Sequence, residues 1–175
     1  MLQRLTQFFS PDPLKARAQD LYIACVTQAR NSFFYNELHV PDTLDGRFDM
    51  VVLHVFLLLR RLKGEEGLAR ALTDAFFVDM DRNLRELGVG DPGVGKRIRK
   101  MVDALYGRIA AYEDAWEKDD KLQEALKRNI YAGNVNDTDV EVLLGYVRAC
   151  SKQLHEATAE SLREGSCSWP VPSGR

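Results

Sequence analysis

The sequence predicts an all-α fold: a single-domain bundle of five to six helices with a short amphipathic segment at its N-terminus. Three observations carry this. Apolar residues recur at three- and four-residue spacing along almost the whole chain. No stretch alternates strictly between apolar and polar residues, as a half-buried strand would. The main glycine and proline breaks, at 41–46, 64, 88–95, 133 and 165, fall between the periodic stretches. At 175 residues the chain is one domain by length, with enough material to bury a core without disulfide or metal staples. A hydrophobic content of 45% and a charged content of 29% exclude bulk disorder.

The elements follow in order. Residues 1–11 carry Leu2, Leu5, Phe8 and Phe9 and form the amphipathic segment. A helical domain spans 12–165. Asp12-Pro13 reads as an N-cap followed by the first helical position. Leu14, Ala18, Leu21, Tyr22, Cys25, Val26, Ala29 and Phe33 then give the first helix its stripe. Pro41 and Gly46 bracket an irregular stretch. The second helix, Phe48 to Arg61, is apolar nearly all round and is expected to be the central, most buried element. A third runs from about Glu65 to Leu87 and a Gly/Pro connector covers 88–95. A fourth follows with Ile98, Met101, Val102, Leu105, Ile109, Tyr112 and Trp116, breaking near Asp119-Asp120. A short helix over 122–130 stops at Ala132-Gly133. Thr138 and Glu141 have capping-box spacing for the last helix, which Gly165 ends. Residues 166–175 hold two prolines, serines and a glycine and are expected to be a disordered tail. The predicted core includes Val52, Leu53, Phe56, Leu59, Phe76, Leu84, Ile98, Val102, Leu105 and Leu144.

Charge and composition narrow the function. A net charge of −2 argues against a general polyanion binder, and DNA is not expected as a partner. Cys25, Cys150 and Cys167 are too few and scattered for a disulfide framework; the first two read as small core residues, the third as an exposed tail thiol. The most apolar run, Met50 to Leu59, is far short of the ~20 residues a membrane span needs. Residues 1–10 have neither signal- nor transit-peptide character, so the expected compartment is the cytoplasm.

Candidate chemistry is sparse. Gly90 to Lys96 fits the glycine-and-lysine spacing of a phosphate-binding loop. Such a loop must follow a buried strand and place Ser or Thr after its lysine; here the residue is Arg97 and the preceding segment is helical in pattern. A helix end, a turn and a new helix start explain it better. Asp79 and Asp81, two apart on a helix, point to different faces and cannot chelate together. His39, His54 and His155 lack metal-ligand spacing, and His54 reads as a core histidine. The sequence therefore offers no catalytic constellation, metal site or cofactor, and a non-enzymatic role is expected. One cluster stands out: Lys96, Arg97, Arg99 and Lys100, with Arg108 two turns on, crowd a helix start whose dipole disfavours cations. A contact to phosphate, lipid headgroups or an acidic partner and a plain solvated face explain it equally well.

Two segments together resemble the ubiquinol–cytochrome c chaperone family, the assembly factors of respiratory complex III. One is Tyr35-Asn-Glu-Leu-His-Val-Pro-Asp-Thr-Leu-Asp-Gly-Arg-Phe48, running into Leu53-His54 and Leu57-Leu-Leu-Arg-Arg61. The other is Phe76 through Asp79-Met-Asp81 and Leu84-Arg-Glu-Leu-Gly-Val-Gly-Asp91, then Val94-Gly-Lys96, Met101 and Tyr106-Gly-Arg108. The resemblance covers roughly Leu14 to Trp116; after about Asp119 no family motif is evident. It implies a binding protein that takes newly made cytochrome b as client and promotes complex III assembly. Mitochondrial members work with a small partner subunit at the ribosomal exit tunnel. This sequence opens without a targeting extension, so it resembles the bacterial homologues, expected in the cytoplasm and peripheral at the inner membrane. That departure leaves the ribosome contact and the partner subunit open. The alternative is a helical adaptor or nucleic-acid-associated factor acting through the basic cluster at 96–100.

The residues expected to face a client or partner are Tyr35, Leu38, Asp42, Arg47 and Phe48 on the first segment. Asp91, Lys96, Arg97 and Lys100 join them from the second. The expectation is that the 35–48 segment and the 88–96 connector build one surface. Arg47 is a planar donor for a carboxylate or carbonyls, and Asp42 and Asp91 are turn-holding acceptors.

Overall fold

The computed structural model describes residues 12–86, 88, 90–133 and 135–174, so the amphipathic 1–11 segment lies outside the described residues. Eight helices follow one another: α1 (Pro13–Ala29), α2 (Ser32–Asn36), α3 (Leu44–Arg61), α4 (Glu66–Glu86), α5 (Asp91–Ala115), α6 (Asp119–Tyr131), α7 (Asp137–Glu156) and α8 (Ala159–Arg163). Six are long, as the periodicity predicts; α2 and α8 are single turns that the sequence reading folded into their neighbours. The class is all-α, with no strand among the described residues.

Side-chain caps set most of the boundaries. Asp12 Oδ1 accepts from the Leu14 amide at 3.0 Å and opens α1. Asn31 does the same for Phe33, so the first helix ends at Ala29 and Phe33 belongs to α2. Thr43 Oγ accepts from Gly46 N at 3.1 Å, starting α3 four residues earlier than expected. α5 likewise begins at Asp91, which turns most of the expected connector into helix. Asn136, not Thr138, caps α7. Ala132 and Gly133 both take positive φ and end α6. Gly165 closes α8 rather than the long helix before it.

α3 is the axle. Every residue from Met50 to Leu58 is buried. A helix apolar on all sides must be covered on all sides, and α1, α5, α6 and α7 pack around it while α4 lies on α1. Of the expected core, Val52, Leu53, Phe56, Phe76, Leu84 and Leu105 are buried. Leu59, Ile98, Val102 and Leu144 are only half-buried. Ile98 and Val102 fall short because the first half of α5 overhangs a cleft instead of packing flat. At the junction of α5 and α6, the Arg60 and Arg148 guanidiniums lie over Trp116, 4.3 and 4.6 Å from its ring. Arg148 also donates to the Trp116 carbonyl and to Asp119, tying down the end of one helix and the start of the next.

His54 is a satisfied core histidine, as expected. Its Nδ1–H donates to the Met50 carbonyl and its Nε2 accepts from the Tyr146 hydroxyl, both at 2.8 Å. The expected disorder of the tail is a correction. Trp169 meets the His54 ring edge-on at 5.0 Å, Gln28 donates to the Pro170 carbonyl, and Gln153 donates to Ser168. The aromatic ring outweighs the local turn composition, because it finds apolar surface between α1, α3 and α7. Cys167 is accordingly half-buried rather than exposed, and burial pushes its thiol up to about 11. Cys25 and Cys150 are core residues.

Two predictions follow from the axle. Phe56 is 1% exposed and stacks edge-on and tilted against Trp116 and Tyr112. Phe56→Ala should cost about 3–5 kcal/mol in urea unfolding; a cost below about 1 kcal/mol would show that the site collapses freely. The second concerns pH. Burial lowers His54 to about 4, so folding loses stability as pH falls below the unfolded value of about 6.5. Asp49 moves the other way: burial lifts it to about 7 against the pull of Arg108. The folded state then holds its proton longer than the unfolded state does, and stability falls as pH rises from about 4 to 7. Asp49→Asn removes that loss. Its stability relative to the parent should therefore improve steadily across this window, whatever the constant offset from the lost ion pair.

Candidate functional site

Four helices converge on a cleft of about 500 Å³ at one end of the bundle. From α1 and its C-cap residue, Tyr22, Val26 and Arg30 succeed one another at four-residue spacing, so they form one row. The first turns of α3 supply Leu44, Asp45, Arg47, Phe48 and Val51. The second half of α4 supplies Asp79, Met80, Asn83, Leu84 and Glu86, and the first half of α5 supplies Arg97, Lys100 and Met101. The floor is apolar, with two methionines and an aromatic ring; the rim carries four cations and three carboxylates.

The cleft is braced by polar contacts. Tyr22 donates its hydroxyl proton to Asp79 Oδ2 at 2.8 Å, and Asn83 donates to the same oxygen at 3.1 Å. Burial and the Asp79 charge push the Tyr22 phenol well above its ordinary range. Asp81 turns away and pairs with Arg85, so the two aspartates occupy different faces as the helical spacing requires. Phe48 leans on Phe76 at 5.9 Å, which fixes the ring at the base of the wall.

The expected site residues divide. Arg47, Phe48, Arg97 and Lys100 meet across this cleft. Lys96 is exposed on α5 and does not line it. Asp42 and Arg47 form an exposed pair at 2.5 Å over a separate shallow hollow that also includes Tyr35. Tyr35 donates to the Ala29 carbonyl at 2.7 Å and so holds the break between α1 and α2. Leu38 is a correction: at 3% exposed it belongs to the core. Asp91 opens α5, but its side chain lies outside the described residues. Arg108 does not extend the exposed basic cluster; it turns inward to Asp49, 2.7 Å away. Neither segment is irregular throughout, since Arg47, Phe48, Arg97 and Lys100 all sit on helices. Sequence reasoning missed Val26, Arg30, Met80, Leu84 and Met101 as cleft residues. Their apolar members sit on the helical stripes and look like ordinary core there.

Gly90 to Lys96 is a helix start. Gly93 and Val94 donate their amides to the Gly90 carbonyl, and helix α4 precedes the turn. Those amides are committed to α5 and do not form a phosphate cradle. No described helix is long and apolar enough to cross a membrane, and no described group of His, Cys, Asp and Glu has metal-binding geometry.

Fold and cleft together define a class: an all-α protein presenting an apolar groove under a charged rim. The chain belongs to the ubiquinol-cytochrome C chaperone family, whose model matches residues 36–169. The crystal structure of the Cbp3 homolog from Brucella abortus superposes with a TM-score of 0.82 at 38% identity, covering 98% of this chain and 97% of that one. Ubiquinol-cytochrome-c reductase complex assembly factor 1 of Xenopus laevis is 27% identical over 85% of this chain and 78% of its own length. The Homo sapiens protein of that name is 28% identical over 92% of this chain, which spans 56% of the human sequence.

The Asp42–Arg47 pair is more than half exposed at both ends, where such bridges contribute little. Arg47→Ala should therefore shift the melting temperature by no more than about 2 °C, as expected for a surface change within about 0.5 kcal/mol. A larger loss would mean that the pair holds the start of α3.

Proposed function

We propose that the protein is an assembly chaperone of respiratory complex III that holds newly made cytochrome b, with the four-helix cleft as the client-binding groove. The observation that carries this is the composition of the cleft: a methionine-bearing apolar floor beneath a rim of Arg30, Arg47, Arg97 and Lys100. Thioether side chains adapt to many apolar shapes, which suits a client that is still folding. Apolar surface recessed between helices is available to a client without becoming a broad sticky patch. Family membership supports the reading, since its relatives carry complex III assembly in their names. The protein acts by binding, and the client is held peripherally at the inner membrane from the cytoplasmic side. A ribosome contact or a small partner subunit would use the exposed basic residues beside the cleft, Lys96 and Arg99. The adaptor or nucleic-acid reading of that cluster is not favoured, because half of it, Arg97 and Lys100, faces the apolar groove.

Half-buried Val26 and Met101 lie on opposite walls and test the groove. Val26→Glu and Met101→Glu should each lower cytochrome b crosslinking in the source cell at least about tenfold, the effect of roughly 1.4 kcal/mol lost from binding. Complex III should fall with it while helicity is retained. Ile23→Glu, 51% exposed on α1 and outside the cleft, should leave both unchanged. Equal crosslinking in all three variants would place the client elsewhere.

A further inference from the structure

The three cysteines lie far apart in the sequence, yet the fold gathers them at one place. The tail after α8 takes no regular structure and lies between α1 and α7, bound by a glutamine from each. Two contacts with α1 set its register. Gly165, at positive φ, sits so close to that helix that a Cβ there would lie 3.0 Å from the Arg17 carbonyl oxygen and 3.2 Å from Asp20 Cβ. Further on, the Pro170 carbonyl accepts from Gln28 Nε2 at 3.0 Å. Tail and helix therefore run in the same direction, the tail advancing up to about 3.3 Å per residue and the helix about 1.5 Å. Cys167, two residues beyond Gly165, then falls level with the turn of α1 that ends at Cys25, and a helical side chain leans back over the turn before it. On the other flank, Gln153 Nε2 donates to Ser168 Oγ at 2.9 Å, and Cys150 lies one turn earlier on the same face of α7. Cys25 and Cys150 are fully buried and Cys167 is half-buried. Burial pushes the Cys25 thiol well above its ordinary range, and the neighbouring Cys167 adds to this more than Cys150 does.

We propose that Cys25 and Cys167 are a thiol pair that a small disulfide oxidant of the glutathione class closes to a disulfide, fastening the tail to α1. Cys167 is the entry point. In the docked tail burial lifts its thiol to about 11, so almost none of it is thiolate at neutral pH. The tail rests on Trp169 edge-on to His54 and on the two glutamine bonds, and Val171 just beyond is 85% exposed. A segment held this lightly opens without unfolding the bundle. In the open tail Cys167 regains ordinary thiol acidity and loses its proton to solvent. Its sulfur attacks one sulfur of glutathione disulfide; a protein–glutathione bond forms, the oxidant's S–S bond breaks, and one glutathione leaves as thiolate and takes up a proton. Cys25 then gives its proton to the water that the opening admits, and its sulfur attacks that of Cys167. The Cys25–Cys167 bond forms, the glutathione bond breaks, and the second glutathione leaves and is protonated. Two protein thiols are oxidised and one glutathione disulfide is reduced to two glutathiones. This inference does not use the chaperone reading; it stands on the path of the tail.

The test incubates the full, reduced chain with glutathione disulfide, quenches with acid, and reads intact mass and the linked peptides. The parent chain should end as a monomer lacking two hydrogens, with no glutathione retained and Cys25 joined to Cys167. Cys25→Ser should stop at a stable glutathione adduct on Cys167, and Cys167→Ser should leave the two buried thiols unreacted. Trp169→Ala should speed the first adduct about tenfold, the effect of roughly 1.4 kcal/mol lost from tail docking. The peptide map of the parent chain needs no variant, so it decides the pairing even if Cys25→Ser fails to fold. A stable glutathione adduct in the parent chain would overturn the proposal, since it would put Cys25 out of reach. So would a Cys150–Cys167 bridge, a bridge between two chains, or no reaction at any cysteine. First-adduct formation at the parent rate in Trp169→Ala would overturn tail opening as the entry step.

Discussion

The structure depends on one constraint: α3 is apolar on every face and must be enclosed. Nine consecutive residues, Met50 to Leu58, are out of water. Each apolar side chain among them contributes roughly 1.5–3 kcal/mol by leaving solvent, so the shell of α1, α5, α6 and α7 is obligatory. Enclosure also forces a histidine into the interior. His54 is tolerated because a carbonyl of its own helix and the Tyr146 hydroxyl satisfy both ring nitrogens, with Gln28 completing the chain from α1. That polar thread connects three helices and the tail, and it fixes their register in a way apolar contacts alone would not.

Enclosure is complete only over the middle of α3, Met50 to Leu58. Near its start the helix runs past the ends of its neighbours, and the polarity of its residues changes there. Arg47 and Asp45 reach water, Phe48 is half-buried, and Asp49 goes inward to Arg108. The cleft opens beside this first stretch. Gly46 is the hinge point of the arrangement: a Cβ there would lie 2.0 Å from the Pro41 carbonyl oxygen. Only glycine lets the backbone at Pro41 fold back this closely against the helix start.

Electrostatics at the other end of α3 are structural. Arg60 and Lys63 share Glu113, Arg61 donates to the Leu154 and Ala157 carbonyls, and Arg163 binds Glu65. These cations close helix ends or cross between helices. Arg97 and Lys100 on the cleft rim do neither: they line open space. Position in the fold, and not residue type, separates a cation that holds the bundle from one that faces open space.

The sequence by itself determined the class, the central helix and some helix ends, among them the start of α1 at Asp12 and the stop of α6 at Ala132-Gly133, because these depend on local physics: apolar period, capping side chains, and residues that accept positive φ. It also carried the family, through the residues around 35–61 and 76–108. It could not distinguish Leu38, which is core, from Phe48, which lines a groove, since periodicity records which face is apolar and not what covers it. Nor could it separate Arg108 from Lys100, two turns apart on one helix, one turned to a buried aspartate and the other to open space. Charge on a sequence has no address until the helices are placed. The groove itself joins α1 and α4 residues to α3 and α5 residues far away in the chain, and Trp169 leaves a proline-rich tail to cover His54. Both are outcomes of tertiary packing: apolar surface seeks whatever neighbour is nearest in space, and only the folded bundle decides which neighbour that is.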